Sequence, residues 1–289
     1  MTALGTGCAI VYNLYVTTYC DSHAHVNSPE FDADRDAMLS RAFEKQVGLI
    51  IEIACNPDDW ARSIQLARSH PGTIFCALGI HPQECRFNTP ANMLRLAKLL
   101  AQPEVCAFGE IGLDYARNEN SRETQLEFLD ILLELGKKSG KPLSLHCRNP
   151  FSPGENAYQD MFSALRNAGY RGERLSGVVH CFSGSDSDAK TALDMGFLLG
   201  INGTLTYPKN GPLRDICKKT GPSKLLLETD CPYLPPQSSR GKRNEPANIP
   251  EICAALASTL EITGHEVAAV TLAGAIDLFG LHEKTQTGL

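Results

Sequence analysis

The sequence predicts an α/β protein built as a single (β/α)8 TIM barrel, a closed ring of eight parallel strands surrounded by helices. Eight short apolar runs alternate along the chain with segments of helical length. Polar residues seldom interrupt the runs, which is typical of strands that are covered on both faces. The 289 residues also suit one such barrel, which usually needs about 250. Eight units in a chain of this length favour a closed barrel over an open doubly wound sheet.

The elements and boundaries follow from the same pattern. The predicted strands are residues 14–20, 48–53, 73–79, 105–111, 142–147, 177–182, 197–202 and 224–229. The helical segments between them are residues 32–46, 57–69, 90–101, 122–139, 156–168 and 187–195. Outside the barrel domain, which we place at residues 13–281, the sequence predicts an N-terminal extension at 1–12 and a tail at 282–289.

Composition excludes several classes of protein. With 27 Lys and Arg against 33 Asp and Glu, the net charge is −6, so the chain lacks the broad basic surface of a duplex-binding module. No run approaches the roughly 18 apolar residues of a membrane span, and we expect no membrane partner. The eleven cysteines contain no CxxC pair, which indicates small buried side chains in a reducing compartment. We expect a monomer in the cytoplasm, or in the nucleus of a eukaryotic cell.

The histidines are unevenly placed. Five of the eight follow or end a predicted strand: His23, His25, His81, His146 and His180. In a (β/α)8 barrel the C-terminal ends of all strands meet at one rim, where active sites are built, so these side chains should converge. A single histidine there would more often be a structural residue; five together favour a site.

Two carboxylates end strands in the same way. His23 and His25 lie two residues apart and should point in one direction, within reach of one ion. Glu110 lies at the end of an otherwise apolar fourth strand, and Asp230 follows the eighth. A buried carboxylate needs a counter-charge. A salt bridge is one solution, but imidazoles at the same rim make a metal the simpler one.

Four histidines, one glutamate and one aspartate suit two divalent ions per chain, with Glu110 between them. Imidazole and carboxylate ligands accept Zn, Mn, Fe, Co, Ni or, with less preference, Mg, so the identity stays open. A pair of ions polarises a phosphoryl or carbonyl oxygen and lowers the pKa of a bound water, which predicts hydrolysis. Asp230 would be the general base for that water.

The motifs resemble those of the TatD-type metal-dependent deoxyribonucleases of the amidohydrolase superfamily. The resemblance covers residues 19–281 and rests on DSHAH at 21–25, GIHP at 79–82, GEIGLDY at 109–115, PLSLHCR at 142–148, VVHCFSGS at 178–185, LLLETDCPYLPP at 225–236 and RNEP at 243–246. It implies that the metal ligands are His23, His25, Glu110, His146, His180 and Asp230. It also implies a nuclease on DNA, as a 3′-5′ exonuclease of single strands or an endonuclease. Some relatives act instead on D-aminoacyl-tRNA.

The sequence departs from this family in two places. The chain before the His23 motif is longer than usual, and residues 149–158 form a longer loop beside the mouth. The second departure bears on the substrate and not on the metal site.

Five side chains are predicted to contact the substrate: His81, Arg148, Arg240, Lys242 and Arg243. Arg148 follows His146 by two and could hold a phosphate, and the three cations at 240–243 form a local basic cluster. His81 could donate to the substrate or to a water on the metal. A helix cap, a salt bridge and a solvated loop are the competing structural explanations.

Two further function classes remain open. A small-molecule amidohydrolase would share the barrel and the paired histidines, but such enzymes commonly bridge their metals with a carboxylated lysine on the fourth strand, where this chain has Glu110. A barrel without metal that serves as a scaffold is disfavoured because all six candidate ligands are present.

Overall fold

The protein is described by a computed structural model over residues 18–117, 119–172 and 176–282. The predicted extension at 1–12, residues 14–17 of the first predicted strand and residues 283–289 of the tail lie outside the described residues.

Eight parallel strands form one sheet in chain order, each bonded to the next. They are β1 (Tyr19–Ala24), β2 (Val47–Ala54), β3 (Ile74–Leu78), β4 (Val105–Asp114), β5 (Leu143–Arg148), β6 (Gly177–Val179), β7 (Phe197–Ile201) and β8 (Leu225–Leu227). The sheet closes where the chain after β8 meets β1: Asp230 N donates to the His23 carbonyl and His25 N to the Cys231 carbonyl, both at 2.9 Å. The predicted (β/α)8 barrel is therefore confirmed.

Helices follow the strands and cover the barrel. They are α1 (Arg35–Glu44), α2 (Trp60–Ser69), α3 (Pro90–Leu99), α4 (Arg122–Ser139), α5 (Ala157–Asn167), α6 (Asp186–Asp194), α7 (Gly211–Thr220), α8 (Ile249–Leu260) and α9 (Gly264–Phe279). The helix α4 has the predicted bounds because Ser121 caps its first turn and Gly140, with φ 66°, ends it in the left-handed conformation.

Apolar side chains form two layers because consecutive strand residues point to opposite faces. On β2, Leu49, Ile51 and Ile53 pack inside the barrel, whereas Ile50 and Ala54 pack against the helices. Leu278 and Phe279, at the end of α9, join the inner layer. The barrel is thus a filled core with an accessible rim.

Two strands extend three or more residues beyond their predicted ends, whereas β6 and β8 stop before theirs. β1 begins at Tyr19 and continues through Ala24, so His23 lies inside the strand and not beyond it. β4 continues to Asp114, three residues beyond its predicted end, and Glu110 lies at a shift of register between β4 and β5. Apolar runs located the ends of both strands imperfectly because buried polar residues interrupt them: Asp21, Ser22 and His23 in β1, and Glu110 and Asp114 in β4.

Among the described cysteines, no disulfide joins any pair, and seven of the ten are buried. No single helix in the described part of the chain is long and apolar enough to cross a membrane. Pro246–Leu260 and Gly264–Phe279 satisfy the criterion only as a pair, and they meet at a bend of 109°.

Glycine at 112 is required by the close approach of β4 to β5. Gly112 has φ 145°, pairs with His146, and a Cβ there would overlap the His146 carbonyl oxygen. We expect Gly112→Ala to lower the free energy of unfolding by at least about 2 kcal/mol, through backbone strain and steric overlap. Gly264→Ala, at an open position with no neighbouring atom within 4 Å, is the control. Urea denaturation curves that coincide for the two variants would contradict this explanation.

Candidate metal centre

The predicted ligands meet at the C-terminal rim, around a cavity of about 910 Å³. His25, Glu110, His146, His180 and Asp230 line it, whereas the sixth, His23, is fully buried beside them. A second cavity, of about 690 Å³, contains none of the six and includes Leu278 and Phe279 of the barrel floor. The chemistry therefore belongs to the rim cavity.

One group of ligand atoms consists of His23, His25 and Asp230 together with one oxygen of Glu110. His25 Nε2 lies 3.5 Å from Asp230 Oδ1, and His23 Nε2 lies 3.8 Å from the same atom. Glu110 Oε2 is 3.8 Å from His23 Nε2 and 3.9 Å from His25 Nε2. Ligand atoms about 2.0–2.2 Å from one ion lie roughly 3.4 Å apart in a tetrahedron, so the spacing suits an ion. His23 Nε2 is buried and has no hydrogen-bond partner among the described residues, as expected of a ligand atom.

The second group contains Glu110, His146 and His180. Glu110 Oε1 lies 2.7 Å from His146 Nδ1 and 2.7 Å from His180 Nε2. The two ring nitrogens are 3.2 Å apart. These atoms are at hydrogen-bonding distances, and they would have to separate by a few tenths of an ångström around an ion. The two oxygens of Glu110 face different groups, so this carboxylate could bridge two ions.

Three of the four candidate ligand rings, those of His23, His25 and His146, are oriented by a hydrogen bond on the outer side. His25 Nδ1 donates to the Ile53 carbonyl at 3.2 Å, and His146 Nε2 donates to Asp114 Oδ2 at 3.2 Å. His23 Nδ1 pairs with Ser144 Oγ at 3.3 Å. Such contacts fix the tautomer and direct the remaining nitrogen at the ion.

Glu110 and His146 attract each other electrostatically. Burial alone would raise the pKa of Glu110, but His180 and the hydrogen bonds from His146 and His180 hold it well below its usual value. Burial alone would lower the pKa of His146, but Asp114 and Glu110 raise it to about 9. A proton on His146 thus supplies part of the positive charge that an ion would bring, and it must leave before a metal binds that ring.

In the group of His23, His25 and Asp230, the two histidine pKa values shift in opposite directions. Burial opposes protonation of His25, yet the Asp230 and Glu110 carboxylates raise its pKa to about 9. The pKa of His23 is instead well below its usual value, because of burial and the nearby His180. One protonated and one neutral imidazole therefore share the Asp230 carboxylate.

Sequence reasoning missed four buried carboxylates around the ligands: Asp21, Glu52, Asp114 and Glu228. Asp21 accepts hydrogen bonds from Thr229 N and Oγ1 at 2.9 and 2.6 Å. Burial raises its pKa to about 7 and likewise raises that of Glu52 to about 7. The sequence feature that could have identified them is a carboxylate inside an otherwise apolar strand.

Glu228 is fully buried. Its Oε1 accepts from Cys181 N at 2.6 Å and lies 3.8 Å from His180 Nδ1. Its side chain occupies space left by Gly200, where a Cβ would overlap it. Burial raises the pKa of Glu228 well above its usual value. Through its contacts with Cys181 N and His180 Nδ1, Glu228 packs against the side of His180 that faces away from Glu110.

The side chains predicted to contact substrate divide into two sets. His81 and Arg148 line the cavity. Burial and the adjacent His146 lower the pKa of His81 to about 3, and the Arg148 guanidinium lies 5.3 Å from the ring centre of Phe151.

The basic cluster lies farther from the ligands, and none of its three side chains lines the cavity. Arg243 donates to Asp34 at 2.7 Å and covers Phe31, and Lys242 is exposed. Arg240 stacks on Tyr207, which does line the cavity. Arg240 is therefore the member of the cluster that is connected to the rim.

The chain matches one protein family over nearly its whole length. The sequence profile of the TatD related DNase family covers residues 20–280, which confirms the resemblance found from the motifs. YabD of Bacillus subtilis, named an uncharacterized metal-dependent hydrolase, is 30% identical over 91% of this chain and 99% of the relative. A Klebsiella pneumoniae protein named 3′-5′ ssDNA/RNA exonuclease TatD is 32% identical over 90% of this chain and 97% of its own length.

A solved structure supports the same family assignment as the two sequence relatives. The crystal structure of YjjV, a TatD homolog from Escherichia coli, has a TM-score of 0.82 and 31% sequence identity, and it covers 91% of this chain and 98% of YjjV. The common fold, the matched family profile and the clustered candidate ligands all indicate the same family. The chain therefore belongs to the TatD related DNase family and is a metal-dependent hydrolase.

Proposed function

We propose that the protein is a deoxyribonuclease that hydrolyses phosphodiester bonds of single-stranded DNA, from the 3′ end, with two divalent ions. The observation that carries the proposal is the position of Glu110 between two groups of ligand atoms. Two ions held close together clamp the oxygens of a phosphoryl group and supply an activated water. The relatives named 3′-5′ ssDNA/RNA exonucleases support the same chemistry and the polarity.

His23, His25 and Asp230 would hold one ion, and His146 and His180 the other, with Glu110 shared. Asp230 has a second task, which is to orient the attacking water and take its proton. Its φ of 57° lies in the left-handed region, and its backbone is fixed by bonds to His23 O and from Tyr233 N, both at 2.9 Å. The unusual backbone conformation therefore holds the carboxylate at the cavity.

Aromatic side chains at the mouth support a nucleic-acid substrate. Phe151 is 84% exposed, the most of any large apolar residue described, and it lies beside the cavity-lining Arg148. Tyr233 is 53% exposed, and its ring centre lies 6.1 Å from that of His25. Bases of an unpaired strand stack on such rings, whereas a small amide or lactone has no need of them.

Removal of metal tests the reaction class. We expect exhaustive chelation to abolish hydrolysis of a 5′-labelled single-stranded oligonucleotide, and Mg, Mn or Zn to restore it, because hydrolytic chemistry at the site requires the ions. Products shortened one nucleotide at a time indicate the exonuclease. Parallel assays with duplex DNA, RNA and D-aminoacyl-tRNA define the substrate. Full activity after complete removal of metal would refute the mechanism, and activity confined to D-aminoacyl-tRNA would refute the substrate.

Asp230→Asn separates chemistry from folding. Asparagine keeps the size of the side chain and one acceptor oxygen but loses the basic carboxylate. We expect turnover on single-stranded DNA to fall by about 10²- to 10⁴-fold while the melting temperature is retained. Asp215→Asn, at an exposed position on α7, is the matched control. Bound metal is measured in both variants, and turnover of Asp230→Asn equal to that of the control would disprove the role of Asp230.

Phe151→Ala tests the substrate class. We expect KM for a single-stranded oligonucleotide to rise roughly tenfold, equivalent to the loss of one base stack, with kcat and bound metal unchanged. An oligonucleotide with abasic sites at its 3′ end should not distinguish the variant from the unmodified protein. Leu94→Ala, which alters a 59% exposed apolar residue on α3, is the control. If KM is unchanged for the base-bearing strand, Phe151 is not a stacking residue.

A further inference from the structure

We propose that His81 is a neutral imidazole whose Nε2–H donates a hydrogen bond to a non-bridging oxygen of the substrate phosphate. The inference rests on the proposed phosphodiester hydrolysis and adds a residue that acts on the substrate without binding an ion.

The backbone fixes the tautomer. His81 precedes a short 3-10 helix, and its Nδ1 accepts a hydrogen bond from Gln83 N at 3.1 Å. A backbone N–H only donates, so Nδ1 must carry a lone pair, and the proton of the neutral ring lies on Nε2. Gln83 is itself held in place because its side-chain amide donates to the Asp114 carbonyl at 2.9 Å. The bond to Nδ1 therefore belongs to a rigid turn.

The protonated nitrogen lies beside the ligands. His81 Nε2 is 3.9 Å from Glu110 Oε1, which is beyond hydrogen-bonding distance. The His81 ring packs edge to face on His146, with ring centres 4.6 Å apart. Because His81 also lines the cavity, its donor is available to a group that binds next to Glu110.

A third ion is the competing explanation. His81, Asp114 and His146 each have a ligand atom within 4.8 Å of the others. However, Asp114 Oδ1 already accepts from Ala116 N at 2.9 Å and Arg117 N at 3.2 Å, and Oδ2 accepts from His146 Nε2 at 3.2 Å. With His81 Nδ1 also occupied, an ion would have to break these bonds, whereas a donor role keeps all of them.

The donor role needs no proton transfer by His81. As water attacks the phosphorus, negative charge is present on the non-bridging oxygens, and a fixed N–H directed at one of them stabilises it. The proton of the water goes to Asp230, and the leaving oxygen takes a proton from solvent. His81 therefore has the same protonation state before and after the reaction.

Two substitutions separate the two nitrogens of His81. His81→Asn keeps an oxygen near the position of Nδ1, so the turn retains its cap, but it lacks a donor at the reach of Nε2. His81→Gln extends an amide N–H towards the position of Nε2. We expect kcat on single-stranded DNA to fall by about 10²- to 10³-fold in His81→Asn, with KM, bound metal and melting temperature nearly unchanged. His81→Gln should recover a substantial part of kcat.

Two measurements do not depend on activity. Nitrogen-15 NMR of the His81 ring should show a proton on Nε2 and none on Nδ1, and metal analysis should find the same number of ions in His81→Asn as in the unmodified protein. An unprotonated Nε2, a lost ion or a wild-type kcat in His81→Asn would each overturn the inference. Absence of phosphodiester hydrolysis by the unmodified protein would instead refute the proposed function.

Discussion

The hydrogen bonds that join the chain after β8 to β1 are the interaction on which the metal centre depends. They link Asp230 to His23 and His25 to Cys231, and the Asp21 carboxylate strengthens the junction through Thr229, 208 positions away. The same residues that close the barrel are ligands or their direct neighbours. A barrel that failed to close would lose its last backbone pairing and the grouping of His23, His25 and Asp230 together, so folding and the geometry of these candidate ligands are coupled at this junction.

The surroundings of this junction contain carboxyl groups that a core would normally exclude. Asp21, Glu52 and Glu228 are almost completely buried, and an unpaired carboxylate in such a place costs several kcal/mol. Each is compensated by donors of the barrel itself: Thr229 for Asp21, Ser63 and the backbone of Asn27 for Glu52, and Cys181 N for Glu228. These contacts make the surroundings of the imidazoles rigid. Apolar residues at these positions would cost less free energy to bury. The buried carboxyl groups therefore serve to position the imidazoles and not to stabilise the fold.

Much of this organisation was predictable from sequence, because strand ends in a closed barrel converge whatever their separation in the chain. His146 and His180 could be assigned to one rim before any coordinates, since each follows an apolar run. Asp114 and Glu228 could not be assigned, because their importance lies in contacts with particular ring nitrogens and not in their spacing. Arg243 shows a different limit of reading contacts from sequence. Its position in a basic loop indicated a phosphate, but Asp34 and Phe31 bind its guanidinium.

The candidate metal ligands and the proposed substrate contact at Phe151 lie in parts of the fold whose backbones are fixed to different degrees. Every ligand lies on a strand or within three residues of one, where the pairing of neighbours fixes the backbone. Phe151 lies in the loop between β5 and α5, which is anchored near its ends by the bond from Ala157 N to Asn149 Oδ1 at 2.8 Å. Between these anchors the chain bears few structural demands. Substitutions in this loop can therefore change which substrates bind while the geometry of the candidate ligands is conserved. For the same reason, motifs predict the metal chemistry of such a barrel more securely than its substrate.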